Sequence, residues 1–420
     1  MRGAGGSAYF LKRQDILPGT GSLRVEIVDP ASGRVLSSRQ LVAGEDYRID
    51  YIQGTVILTD PLSSSTNGGT VVTGAAGGSY DVHLVAQYEY EPTLTDINGN
   101  SFGGRIETWL PGDRVRLGFS GMDETTDTAD LKVLGAVMRF RFGENSHLDA
   151  DIAESKGTGF GKSISTDGGL TFNDLPATGS STAARAFRFE GALDLADISA
   201  NGRGTISAYY EKKDAGFNTL SEDVKADQRS FGVSADVELG PRTELRLRYK
   251  DFDETGGEKE REGTLDLAYQ IGTATTLEVG LRHLDSEDPA DPRDTGRRTD
   301  LGVRVTRDLG NDTEIWGFAQ GTVSLSGGLE RNNRIGAGGR FAFSDTLSAE
   351  AEPSDGSTGV GARASDLPAG RRWSLLRGLR ARAGSRNRGP HAARPRHGRL
   401  RPWRRAQDRP VNDLLRREQP

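Results

Sequence analysis

Few side chains in this 420-residue chain are spaced for chemistry. Gly157-Thr158-Gly159-Phe160-Gly161-Lys162-Ser163 resembles the loop that cradles a phosphate, but that pattern needs a glycine where Lys156 stands, and no helix pattern follows to offer its N-terminus. Ser165-Thr166-Asp167-Gly168-Gly169-Leu170-Thr171-Phe172 matches the Asp-box turn of sialidase-like propellers. That box is structural, a propeller repeats it blade by blade, and it occurs here once, so a turn in a long loop is expected. Asp96-Ile97-Asn98-Gly99-Asn100 places oxygen ligands at alternate positions but lacks the distal bidentate Glu of a Ca²⁺ loop, which favours an Asx/Gly turn. His83, His147, His283, His391 and His397 show no metal-ligand spacing. Acidic pairs such as Asp285 and Asp288 read as solvated loop, and no Ser/His/Asp set emerges. The chain holds no Cys, which excludes a disulfide framework, a thiolate metal site and a Cys nucleophile. No catalytic, cofactor-binding or metal-binding residue is expected, and the chain does not read as an enzyme.

A second set of charges is more regular: Glu244, Arg246, Arg248, Asp266, Glu278, Arg282 and Arg304. Five of them sit between apolar neighbours, and Glu244 and Arg282 each adjoin one, in an alternating pattern. Phe231, Val233, Ala235, Val237 and Leu239 alternate with Gly232, Ser234, Asp236 and Glu238. Leu245, Leu247 and Tyr249 continue the pattern, then Leu265, Leu267, Tyr269 and Ile271, then Leu277, Val279 and Leu281, then Leu301, Val303 and Val305. In extended chain, period-two alternation gives each segment one apolar and one charged face. The charged face either lines a conduit for small solutes or fills its interior with cross-strand ion pairs; the spacing fits both.

Short polar links at 111–113, 143–146, 240–242, 272–274, 310–312 and 344–345 alternate with longer ones at 122–130, 156–184, 211–228, 253–261, 285–298 and 324–333. The rhythm predicts about 14 strands over 105–352, most about ten residues long, the length a tilted membrane-spanning strand needs. The fold class expected is therefore all-β: an antiparallel up-and-down meander forming an incomplete transmembrane β-barrel, preceded by a small β-domain. A soluble sandwich would hide the same apolar face in a core, but has no reason to keep its long loops at one end.

Composition divides the chain. Residues 353–420 carry 17 Arg, no Lys and 5 acidic residues, a net +12, which leaves −18 for 1–352. Arg, Gly, Ala and Pro dominate this tail, as in Arg401-Pro402-Trp403-Arg404-Arg405, and all four have GC-rich codons. The expectation is a disordered or out-of-frame tail on a fragment, with binding of nucleic acid or anionic surfaces as the alternative. The longest uncharged run, 61–80, is rich in Ser, Thr and Gly rather than apolar, so it is no membrane helix. Residues 1–13 hold no apolar stretch of signal-peptide length.

Within 9–92, Leu23, Val25 and Ile27 lead to the turn Asp29-Pro30-Ala31-Ser32-Gly33, and 34–41 returns. A second hairpin covers 46–59 around Gln53-Gly54, and a last strand holds Val82, Leu84, Ala86, Tyr88 and Tyr90. Tyr9-Phe10-Leu11-Lys12-Arg13-Gln14-Asp15-Ile16-Leu17-Pro18-Gly19, the strand at 23–28, and Ala43-Gly44-Glu45-Asp46-Tyr47-Arg48-Ile49-Asp50-Tyr51 with Gln53-Gly54 resemble large, poorly characterised outer-membrane proteins of Proteobacteria. In those proteins repeated extracytoplasmic β-domains precede a C-terminal β-barrel. The resemblance implies an outer-membrane location, with membrane lipid as partner, and a barrel at 101–352. Residues 1–100 read as a small extracytoplasmic β-domain on the periplasmic or lumenal side, with a contribution of the barrel's first strands as the alternative. The resemblance implies neither a substrate nor catalytic residues. The function expected is structural or that of a passive channel with long surface loops, without nucleic acid as partner. The rival is a soluble cell-surface sandwich or propeller acting as an adhesin.

Overall fold

The computed structural model describes residues 1–66, 69–74, 79–91, 99–126, 129–220, 222–311, 313–344, 347–357 and 374–381. Asp96, Ile97, Asn98, His391, His397 and most of the Arg-rich tail lie outside the described residues. Among the described residues the regular structure is β, interrupted by two single 3-10 turns.

The N-terminal domain holds seven strands: β1 (Ala8–Phe10), β2 (Ser22–Val28), β3 (Val35–Gln40), β4 (Tyr47–Asp50), β5 (Thr55–Leu58), β6 (Ser65–Thr66) and β7 (Tyr80–Gln87). They form two small sheets, ordered β1-β5-β4 and β3-β2-β7-β6. Alternation puts Leu23 of β2, Leu84 of β7, Val56 of β5 and Tyr9 of β1 into one core, joined by Leu11, Ile16, Leu41 and Tyr47. Asp29 shapes the β2–β3 turn, because its Oδ1 accepts from the amides of Ala31 and Ser32. Gly54 sits at φ +65° in the second hairpin, where a Cβ would lie 2.3 Å from the Arg13 carbonyl oxygen, so the turn requires glycine.

A second sheet of fifteen strands follows. Its strands are β8 (Gly99–Trp109), β9 (Val115–Thr126), β10 (Asp130–Arg141), β11 (His147–Lys156), β14 (Ala184–Asp194), β15 (Gly204–Lys213), β16 (Gln228–Gly240), β17 (Thr243–Glu254), β18 (Lys259–Ile271), β19 (Thr275–Glu287), β20 (Gly296–Gly310), β21 (Thr313–Gly327), β22 (Arg334–Ser344), β23 (Leu347–Gly356) and β24 (Ser374–Ala381). A hairpin of β12 (Lys162–Ile164) and β13 (Asn173–Leu175) stands apart in the link between β11 and β14. Each strand of the large sheet pairs antiparallel with its neighbours in sequence, and β8 and β24 are its two edges. The fourteen strands from β8 to β23 are the expected meander.

The strands are longer than expected, and several long links shrink. The link read at 253–261 covers only 255–258, and the one read at 285–298 covers 288–295. Charge clusters that look like loop are rungs: Arg261 pairs with Asp251 at 3.0 Å, Arg297 with Asp285 at 3.1 Å, and Arg185 with Glu154 at 2.8 Å, each across adjacent strands. The last of the strands expected over 105–352 runs on to Gly356. Residues 374–381, inside the stretch read as disordered or out of frame, form β24 against it.

The sheet is inside out by the standard of a water-soluble protein. Cross-strand register lines up Leu247, Leu265, Leu281 and Leu301 on one face. The last three are 40%, 41% and 44% exposed. On the opposite face Asp266, Arg282 and Asp300 are 4%, 5% and 0% exposed. Ionisable side chains are almost never fully buried unless paired, and contiguous apolar surface on this scale marks contact with another apolar phase.

The N-terminal core supplies the first test. Leu84→Ala, at a fully buried position, is expected to destabilise that domain by about 2–5 kcal/mol. Hydrogen exchange should show faster exchange of the β2 and β7 amides while the large-sheet ladder keeps its protection.

Candidate functional site on the polar face

The polar face is occupied, and its occupant is the N-terminal domain. One register row crosses the sheet through Asp236, Arg246, Asp266, Gly280, Gly302, Gln320 and Arg334, one residue from each strand β16 to β22. Residues 69–74, from the middle of the uncharged run, lie along it as a strap. Arg246 Nη1 donates to the Gly69 carbonyl at 3.0 Å, and the Val71 amide donates to Asp266 Oδ1 at 3.1 Å. Gln320 treats Thr73 as a strand neighbour would: its Oε1 accepts from the Thr73 amide and its Nε2 donates to the Thr73 carbonyl, both at 3.2 Å. Asn332 Nδ2 donates to that carbonyl at 2.7 Å, and Arg334 Nη1 reaches the Thr73 hydroxyl at 3.3 Å.

Two glycines make the seat. A Cβ on Gly280 would lie 2.5 Å from Asp266 Oδ1, the atom that holds the strap, and 2.7 Å from Val71 Cβ, and one on Gly302 would lie 2.8 Å from Val72 Cγ2. Six sheet positions, from Arg246 to Arg334, span roughly 24 Å at strand spacing, whereas 69–73 extends over roughly 14 Å. Curvature of the sheet and the reach of the two terminal arginines take up the difference.

Charge anchors the rest of the domain. Asp29, having shaped its turn with one oxygen, accepts from Lys250 Nζ with the other at 2.7 Å. Lys250 also meets Glu260 at 2.5 Å and Glu262 at 3.3 Å. Glu262 then binds Arg282 through both oxygens, at 2.8 and 3.2 Å. Asp300 stands 3.8 Å from Arg282 and 2.9 Å from Arg298. The alternating chain runs from the N-terminal domain across β17 to β20. Arg34 covers the Tyr209 ring at 3.2 Å and faces Glu190 and Glu211 at 3.9 and 3.8 Å. Tyr80 sits against the same network, and burial pushes its phenol up.

The seven charges expected on the polar face are all there, and six of them are ion-paired. Arg246 pairs with Glu244 and Glu278, Arg248 with Asp236, Arg282 with Glu262, and Arg304 with Glu278, while Asp266 holds the strap. His147 faces Asp149 at 3.8 Å, and His283 bonds Thr299. Among the described residues no group of three or more His, Asp or Glu is placed to hold a metal ion.

The two loop motifs have other work. In the phosphate-loop lookalike the amides of Gly157 and Gly159 are spent on the carbonyls of Ser180 and Asp130, and the loop leads into β12 rather than a helix. The Asp-box is the turn of the β12–β13 hairpin. Asp167 accepts from the Thr171 hydroxyl at 2.6 Å, the Thr171 amide at 3.0 Å and the Ser165 hydroxyl at 2.8 Å, which hold its carboxyl far below the usual range. The turn clasps the edge of β1. Phe10 donates its amide to the Gly168 carbonyl at 2.9 Å, Arg2 donates to the Ser165 carbonyl at 2.8 Å, and Lys12 bonds Ser163 at 3.0 Å and Asp174.

The clasp and Asn332 belong to long links, so the domain sits toward that end of the strands. β8 also starts there, since Gly99 pairs with Thr126 at the far end of β9. The strap was not legible as a site. Its signal was the absence of charge over 61–80, in a chain where 27% of residues are charged.

No protein-family model matches the chain, and no curated protein matches it. Among solved structures it is similar to a bacterial polysaccharide outer-membrane secretin, at 11% identity and a TM-score of 0.33, over 88% of this chain and 100% of that one. It is also similar to the siderophore receptor PirA from Acinetobacter baumannii, at 11% identity and 0.36, over 90% and 76%. A third is an anion-selective porin from Comamonas acidovorans, at 12% and 0.29, over 68% and 96%. Likeness this distant assigns no family, and the fold rests on its own hydrogen-bonded ladder.

Two outcomes test the site. Lys250→Met leaves Asp29, Glu260 and Glu262 without their shared cation and should loosen the domain by about 3–5 kcal/mol, measured as faster proteolysis within 1–91. The clasp should also depend on acid. Asp167 is held below its ordinary 3.8, so its contribution is complete above that value and is lost as pH falls through the lower folded value. Hydrogen exchange at Phe10 should be unchanged from pH 7 to 5 by this group, and Asp167→Asn should raise it at neutral pH.

Proposed function

We propose that this chain is an outer-membrane β-barrel protein, related in architecture to the proteobacterial barrels it resembles, whose lumen is filled by its own N-terminal domain. The observation that carries this reading is the exposure pattern: apolar side chains face out along strand after strand while ion-paired side chains face in. A soluble sandwich or propeller adhesin of this sequence would have to bury the leucine rows, and they are uncovered.

The outer face has the right zones. On β10 and the residue that follows it, the outward positions from Leu134 to Phe142 are apolar or small, which at a typical tilt of about 40° makes a band about 20 Å tall. Toward the long links the band gives way to a collar of ion pairs, with the arginine side chains of the Arg185–Glu154, Arg261–Asp251 and Arg297–Asp285 rungs 61–69% exposed. That collar belongs in water and headgroups, so the strands project past the hydrocarbon at that end. The role is structural or that of a conduit for small solutes, without enzymatic chemistry. An open passive channel needs a clear polar face; here 69–74 and the Asp29–Lys250 anchor cover β17 to β22, which supports a closed conduit.

The test is insertion. Refolded with vesicles of phosphatidylethanolamine and phosphatidylglycerol, the chain should acquire protease-resistant strands and heat-modifiable electrophoretic migration. Leu267→Arg, in the middle of the outward band, should cost about 2–4 kcal/mol of stability in the vesicle, and His283→Arg, in the collar, about 0–1. A monodisperse chain that unfolds cooperatively without any lipid or detergent would sink the reading.

A further inference from the structure

We propose that residues 69–74 are the gate of this conduit, a strap that opens by lifting off the Gly280/Gly302 seat while the rest of the N-terminal domain stays anchored. The inference rests on the barrel reading and adds the moving part to it.

Three features separate the strap from the domain that carries it. Residues 69–74 belong to no strand, and the contacts holding Gly69, Val71 and Thr73 come from side chains of the sheet, Arg246, Asp266, Gln320 and Arg334, and from Asn332 in the β21–β22 link. Each of those side chains is polar and can bond water once the strap departs, so opening breaks no ladder and strands no buried peptide group. The strap carries no charge, so lifting it separates no ion pair; the charges beneath it keep their partners, as Arg246 does with Glu244 and Glu278.

The domain's other fastenings lie elsewhere. Asp29 is held by Lys250, Arg34 lies on Tyr209 of β15, and the β12–β13 clasp grips β1. None passes through 69–74. The seat is made by subtraction, because Val71 and Val72 occupy the space that side chains at 280 and 302 would take. A larger residue there competes with the strap for one volume, on the same face and in the same row. With the strap away, the row presents Arg246, Asp266, Gln320 and Arg334, groups of both signs, to hydrated ions and small polar solutes.

The experiment uses the full chain in planar bilayers of phosphatidylethanolamine and phosphatidylglycerol with potassium chloride as the probe. Insertion is scored separately by heat-modifiable migration. Gly280→Leu and Gly302→Leu are each expected to raise the open probability about tenfold or more, because overfilling the seat favours the lifted state. As the chain has no Cys, the pair Val71→Cys with Asp266→Cys, joined in the parent chain by a 3.1 Å amide–carboxylate hydrogen bond, makes a unique lock that leaves the glycine seat unfilled. Oxidised, it should abolish openings, and a reductant should restore them. Leucine variants that insert and conduct like the parent chain overturn the gate and leave the barrel standing. So does an oxidised lock that conducts like its reduced form, which decides the matter even where a leucine variant misfolds. A parent chain that never inserts sinks the barrel reading and takes the gate with it.

Discussion

A sheet that turns its leucines outward must neutralise the charges it turns inward, and everything else here depends on that. Removing a lone ion from water costs more than the folding energy of most domains, so inward charges survive only in alternation. The sequence Asp29, Lys250, Glu262, Arg282, Asp300, Arg298 is such an alternation, and its first member is not part of the sheet. The N-terminal domain is thus one of the counterions of the wall it leans on. That explains why a small domain with a modest core of its own is held in one place. It also explains why the polar face, which looks from its composition like the lining of a water-filled passage, is mostly occupied.

Within that charged wall the bare centre of one row is the exception. Asp266 and Gln320 flank two glycines, and the segment lying on them contributes backbone groups and two valines. Asp29 answers Lys250 with charge, whereas over Gly280 and Gly302 the domain brings backbone and small apolar side chains.

Much of the fold was legible because period-two alternation is a direct consequence of strand geometry, and a face buried against apolar surroundings tolerates no slip in it. The rows at 231–239, 245–249, 265–271 and 301–305 are therefore visible in the residues themselves. So are the hairpins at 23–41 and 46–59, whose turns carry their own chemistry in Asp29 and Gly54. Strand ends were misread for a physical reason: a cross-strand pair such as Asp285 with Arg297 has the composition of a solvated loop, and only its partner twelve residues away makes it a rung. The site was the least legible part. Strap and seat are more than 200 residues apart, each bland alone, and glycine in a strand announces close approach without saying what approaches. The seven polar-face charges were found, but whether they lined a passage or filled one depended on a domain whose position no local pattern encodes.

The strap's contacts also set an order of events. Val71 meets Asp266 across 195 residues, and Thr73 meets Arg334 across 261. Segments so far apart close on one another late and slowly, since chain entropy must be surrendered before the contact returns anything. Yet the strap lies along the inner row of six successive strands, a position hard to reach once those strands have curled into a wall. The N-terminal domain has a hydrophobic core made of contacts within residues 9–84, so closing it surrenders less chain entropy than seating the strap does. A wall that closed before that domain was in place would have to part again to admit it.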